Sequence, residues 1–169
     1  IRDAIAYLRL IVEPRDDLAF ERIVNTPKRG VGKATLEQIH AHARARNISL
    51  TEAAEALLQG GGIKGKAGGT LQHFLGQRRT WQQEAAVLPA AALTEKMLEE
   101  SGYVAMWRED KSPEAQGRIE NLRELARALG EFGTLGEFLE HVSLVMDRED
   151  NQTEAMVSIM TLHAAKGLE

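Results

Sequence analysis

The sequence predicts a mainly α-helical fold that closes with a single β-strand. Three observations predict it. Apolar residues recur at helical spacing over most of the chain, as at Ile5, Leu8, Ile11 and Val12. Helix starts and stops punctuate that pattern, among them Asp16, Asn47, Ser49 and Gly130. Residues 156–162, Met-Val-Ser-Ile-Met-Thr-Leu, then break the periodicity with an apolar, β-branched run that reads as a buried strand.

The first helix carries the Ile5 stripe and ends at Pro14, whose ring cannot continue it. Asp16-Asp17 caps the next, which runs to about Val24. Asn25-Thr26-Pro27 is a turn signal, followed by Gly30-Val31-Gly32 and a helix over 33–46 that Asn47 stops. Ser49 or Thr51 starts a short alanine-rich helix through Leu58. Residues 60–69 contain six glycines. Each costs a helix about 1 kcal/mol relative to alanine, so this stretch is expected to be a mobile loop. A long helix over 70–87 is expected next, and Pro89 separates it from another over 91–100. Tyr103 to Trp107 adds a helical turn. Ser112-Pro113-Glu114 opens a helix bearing Ile119, Leu122, Leu125, Ala126 and Leu129, with proline in its first turn. Thr134 begins the last helix, with Leu135, Phe138, Leu139 and Val142, and residues 147–153 form a polar, acidic linker. A lone strand needs a sheet partner. That orphan strand, and a start at Ile1 already inside an amphipathic pattern, lead to the expectation that the sequence is a piece of a larger α/β protein.

Composition narrows the function classes. No run approaches the roughly 18 apolar residues of a spanning helix, so no membrane role is expected. The chain has no cysteine. Disulfides, thiolate metal sites and cysteine nucleophiles are therefore out, and a cytoplasmic location is expected. The net charge of −4 hides an asymmetry. Residues 22–82 hold ten Lys/Arg against three Glu, a charge of +7, while the remainder is −11. Such a basic segment is either a surface that faces a polyanion or a solvated helix face.

Three motifs could carry chemistry. Gly60-x-x-x-x-Gly65-Lys66 has phosphate-loop spacing, but Ala67 stands where a metal-binding hydroxyl is needed and a helical pattern precedes it instead of a strand. It reads as a flexible Gly/Lys loop. Thr26-Pro27-Lys28-Arg29-Gly30-Val31-Gly32-Lys33 is the second. Two glycines around an apolar residue allow a tight turn, with Val31 inward and backbone amides at a helix start. With Lys28, Arg29 and Lys33 around it, the turn resembles the hairpin of helix-hairpin-helix modules, which hold duplex DNA by its backbone. A plain helix-helix turn with solvated lysines is the alternative. The third is the strand running into Thr161-Leu162-His163-Ala164-Ala165-Lys166-Gly167-Leu168-Glu169. Open α/β sheets bind ligands beyond such strand ends.

That last string resembles motif V of the UvrD/Rep/PcrA helicases. Residues 4–10 resemble the stretch leading out of the family's second RecA-like domain. Residues 25–32 are similar to the Gly-Ile-Gly element of the inserted 2B subdomain, with Val31 for isoleucine, and residues 118–125 and 138–144 resemble further family segments. The resemblance implies a three-part division: an exit helix at 1–12, a helical 2B subdomain at 13–153, and a return strand with motif V at 154–169. It also implies a parent that is an ATP-dependent 3′–5′ DNA helicase of repair and replication, using ATP and Mg²⁺. By position, Thr26, Lys28, Arg29, Gly30, Gly32 and Lys33 would hold duplex phosphates. Thr161 and His163 would lie along single-stranded DNA, and Gly167 and Glu169 near the nucleotide.

The family's phosphate cradle, metal carboxylates and arginine fingers do not occur in this sequence. No catalytic or metal-binding residue is therefore assigned, and neither ATP hydrolysis nor cofactor binding is expected of this piece alone. Three or four phosphate contacts imply weak duplex binding with a log–log salt slope of about −3 to −4. No ladder of stacking aromatics is visible, so strong single-strand binding is not expected. The chain is expected to be monomeric. The competing function is a helical protein-interaction module whose acidic helices recruit repair or transcription proteins.

Overall fold

Residues 1–145 are described by a computed structural model of the chain. Among them, the order is α1 (Arg2–Val12), α2 (Asp17–Ile23), α3 (Lys33–Arg46), α4 (Leu50–Gln59), α5 (Gly65–Glu84), α6 (Ala90–Glu100), α7 (Tyr103–Glu109) and α8 (Ala115–Leu129), with residues 135–145 also helical. The expected strand and the linker before it lie outside the described residues.

The helix boundaries follow local chemistry. Asp16 caps α2, its carboxylate accepting from the Ala19 amide at 3.0 Å. Asn47 ends α3 in the left-handed conformation. Ser49 opens α4 with a full capping box: its hydroxyl accepts from the Glu52 amide, and the Glu52 carboxylate accepts from the Ser49 amide. Those bonds hold the Glu52 carboxyl below the usual carboxylate range.

The glycine-rich stretch corrects the sequence reading. It is no loop of ten residues. Gly60–Gly62 close α4, with the Gly62 amide reaching the Leu57 carbonyl at 2.7 Å and the Gly61 amide the Leu58 carbonyl at 3.3 Å. This is the paired arrangement by which helices commonly stop at glycine. Helix α5 then starts at Gly65, five residues before the expected Thr70. Two features override the propensity cost. Ile63 is buried just ahead of the helix, and a Cβ on Gly68 would come within 2.8 Å of the Ile63 carbonyl oxygen. Glycine is thus what lets that turn close on Ile63. Downstream, Leu71, Phe74, Leu75 and Trp81 are buried along α5, and their packing carries the helix back through its glycines.

Two units are distinguished. The first, Ile1–Leu135, contains α1 to α8. Helix α1 packs on α2 and α5, α3 on α4, α4 on α2 and α5, and α6, α7 and α8 on one another. Seven of its eleven residues are buried, so α1 is a core element of this unit. Tyr7 lies at the centre, with the rings of Phe74, Trp81 and Tyr103 at 6.1, 6.3 and 6.1 Å. Burial raises the Tyr7 hydroxyl above its usual range, against a smaller opposing pull from Arg29. The second unit, Gly136–Glu169, is described only to residue 145, where it is helical with Phe138 buried. Among the described residues no helix is long and apolar enough to cross a membrane.

Candidate nucleic-acid interface

The turn between α2 and α3 gathers Thr26, Lys28, Arg29, Gly30, Gly32 and Lys33 on one short segment. Its backbone is held from within. The Asn25 side chain accepts from the Arg29 amide at 2.7 Å, and the Tyr7 hydroxyl donates to the Thr26 carbonyl at 2.6 Å. The Thr26–Pro27 peptide is cis. Gly30 has φ +77°, a left-handed conformation that a side chain would strain. Val31 is 1% exposed and anchors the turn in the core, as the sequence pattern predicts.

Arg29 departs from its expected role. Its guanidinium turns inward and donates to the carbonyls of Ile23 at 2.8 Å, Thr26 at 3.2 Å and Ser101 at 3.3 Å. It also donates to the Tyr7 hydroxyl. Its central carbon stands 4.5 Å from the Phe74 ring centre and 5.8 Å from that of Tyr7. Among the described residues no carboxylate pairs with it. Carbonyl dipoles and ring faces carry the charge instead. A side chain so committed is unavailable to a phosphate. Arg29 builds the turn; it does not present it.

The outward face is different. Lys28, Gly30, Gly32 and Lys33 are all exposed. Gly32 is the N-cap of the fourteen-residue α3, with no side-chain cap and no acidic residue in the first turn. Helix start amides lack intrahelical partners and carry the positive end of the helix dipole, so this end favours an anion. Lys33 reaches Glu37 only at 3.8 Å, with both side chains well exposed. Such a pair contributes little and yields readily to a stronger anion.

Thr161, His163, Gly167 and Glu169 lie outside the described residues. Gly60-x-x-x-x-Gly65-Lys66 follows helix α4 instead of a strand, and Ala67 offers no hydroxyl, so these residues do not form a nucleotide cradle. Among the described residues no cluster of three His, Asp or Glu is placed to hold a metal ion. The sequence reading missed Tyr7 and Phe74 as supports of the turn, because a ring partner of Arg29 leaves no trace in local pattern. It also missed Thr70, read as a helix start but found one turn inside α5.

A sequence-family profile described as the UvrD-like helicase C-terminal domain matches residues 1–59 and 70–169. The chain belongs to that family. Over its full length it is 43% identical to a probable DNA helicase II homolog of Rickettsia felis, covering 26% of that protein. It is 39% identical to DNA helicase II of Escherichia coli and 36% identical to the ATP-dependent DNA helicase PcrA of Bacillus subtilis, covering 25% and 24% of them. The chain thus spans about a quarter of the length of these UvrD-like relatives.

Proposed function

We propose that this chain is the duplex-contacting 2B region of an ATP-dependent 3′–5′ DNA helicase, with a regulatory role in unwinding. The Gly30-Val31-Gly32 turn carries the reading. It combines an exposed, uncapped helix start with flanking lysines, on a backbone braced from the inside by Val31 and Arg29. Thr26, Lys28, Gly30, Gly32 and Lys33 meet the phosphates of duplex DNA; Arg29 holds them in place. Backbone contacts of this kind position a protein on DNA without reading its sequence. ATP and Mg²⁺ would serve the whole helicase, with Gly167 and Glu169 toward the nucleotide and Thr161 and His163 along the single strand. A competition assay tests the reading: duplex DNA should displace a labelled duplex from the chain at lower concentration than single-stranded DNA of equal length. Equal displacement would count against it.

One observation favours a second reading, a protein-interaction module. A groove of about 270 Å³ lies among α6, α7 and α8, with Leu98, Val104, Ile119 and Leu122 on its floor and Glu95, Glu99, Arg108 and Arg123 around it. A helical segment of a repair or transcription protein would suit such a groove. This reading gains if Lys28→Ala with Lys33→Ala leaves DNA binding unchanged while Arg108→Glu with Arg123→Glu abolishes capture of such a protein.

A further inference from the structure

The glycine-rich start of α5 lies directly against the Gly-Val-Gly turn. The Thr70 hydroxyl donates to the Arg29 carbonyl of the turn, and the Lys66 and Ala67 carbonyls stand 2.9 and 3.1 Å from the same oxygen. A Cβ on Gly30 would lie 4.0 Å from the Ala67 Cα. One hydroxyl therefore ties the two backbones together.

The charges around this junction are unbalanced. Lys64 and Lys66 are exposed, Lys64 is the N-cap of α5, and its first turn has no acidic residue and no side-chain cap. Among the described residues some bases elsewhere are paired, Arg22 with Asp3, Arg79 with Glu55, Lys96 with Glu84 and Arg108 with Glu99, while Arg2, Arg44, Arg46 and Lys111 are not. Among the described residues Lys28, Lys64 and Lys66 have no carboxylate partner. Like charges carried on adjoining turns repel, and the repulsion is relieved when a polyanion neutralises them.

We infer that residues 60–69 form a second phosphate-contacting turn, with Lys64 and Lys66 gripping the same duplex backbone as the Gly30-Val31-Gly32 turn. This rests on the duplex-contact reading and extends it. Glycine backbone allows close approach of a phosphate. The rings of Tyr7, Phe74 and Trp81 are buried and offer no stacking surface, which favours a duplex over an unpaired strand. Thr70 is a positioning residue that fixes the spacing of the two turns.

The test titrates the 169-residue chain with a short blunt-ended DNA duplex over a salt series. Beside it stand Lys28→Ala with Lys33→Ala, Lys64→Ala with Lys66→Ala, Thr70→Val and Thr70→Ser, each checked for helix content by circular dichroism. The Lys64/Lys66 variant should flatten the log–log salt slope by about 2, as should the Lys28/Lys33 variant, each lost phosphate contact contributing about 0.9. Thr70→Val should weaken binding severalfold and Thr70→Ser restore it. A wild-type slope in the Lys64/Lys66 variant, with a flattened slope in the Lys28/Lys33 variant, overturns the second turn and leaves the duplex reading standing. Flattening only in the Lys64/Lys66 variant removes the Gly-Val-Gly turn from the interface and overturns the shared grip. No duplex binding by the wild-type chain overturns both.

Discussion

The Arg29 guanidinium stacks 4.5 Å from the centre of the Phe74 ring, inside a cluster that also contains Tyr7. A residue from the basic turn thereby joins α1, α5 and the α6–α7 junction, where it meets the Ser101 carbonyl. The rigidity of the turn and the stability of the first unit are consequently one property.

Arg29→Lys should destabilise the chain by about 1–3 kcal/mol. The Ile23 carbonyl keeps its bond from the Thr26 amide, but an ammonium cannot span the Ile23 and Ser101 carbonyls together, and a buried carbonyl left unpaired costs about 1–3 kcal/mol. Urea denaturation should show a lower midpoint with an unchanged slope. An unchanged midpoint would mean that the guanidinium contacts contribute nothing net.

Two glycines of α5 should respond with opposite signs. Gly68→Ala drives a methyl to 2.8 Å from the Ile63 carbonyl and should cost about 1–3 kcal/mol. Gly76→Ala meets nothing within 4 Å on an exposed helix face and should stabilise by up to about 1 kcal/mol. Thermal melts of the pair check both. A stabilising Gly68→Ala would contradict the close packing of Ile63 on that turn.

Ser49→Ala removes the hydroxyl half of the α4 capping box and should cost about 1 kcal/mol. The Glu52 carboxyl, held low chiefly by its bond from the Ser49 backbone amide and then by the hydroxyl, should titrate closer to its ordinary value in that variant. Carbon-detected NMR titration reads this directly.

Tyr103 supplies a pH dependence. Burial pushes its hydroxyl from 10.0 to about 12. The folded state favours the protonated phenol, so its contribution is complete below about pH 10 and declines as pH rises toward 12. The stability difference between wild type and Tyr103→Phe should be constant at neutral pH and shift against the wild type over that window. A difference that stays flat to pH 12 would refute the shift.

Much of this fold is legible in the sequence, because its signals are local. Asp16, Asn47 and Ser49 act within four residues of themselves, and α3 spans the expected 33–46. Val31 between two glycines announces its own burial. The glycine-rich stretch is not legible, since its helix depends on Ile63 folding back and on apolar residues further along α5. Arg29 misleads for a related reason. In sequence it is one base among ten in a basic segment, and only the arrival of Tyr7 and Phe74 from distant helices sets it apart from Lys28 and Lys33.

In the proposed function Lys28 and Lys33, presented by a turn that Arg29 braces, contact duplex DNA. The most direct measurement compares duplex and single-stranded DNA binding by the chain and by Lys28→Ala with Lys33→Ala, across a salt series. The expected result is a duplex preference with a negative log–log slope, flattened by about 2 in the variant because two phosphate contacts are lost. Binding that ignores both the strand state and the two substitutions would contradict it.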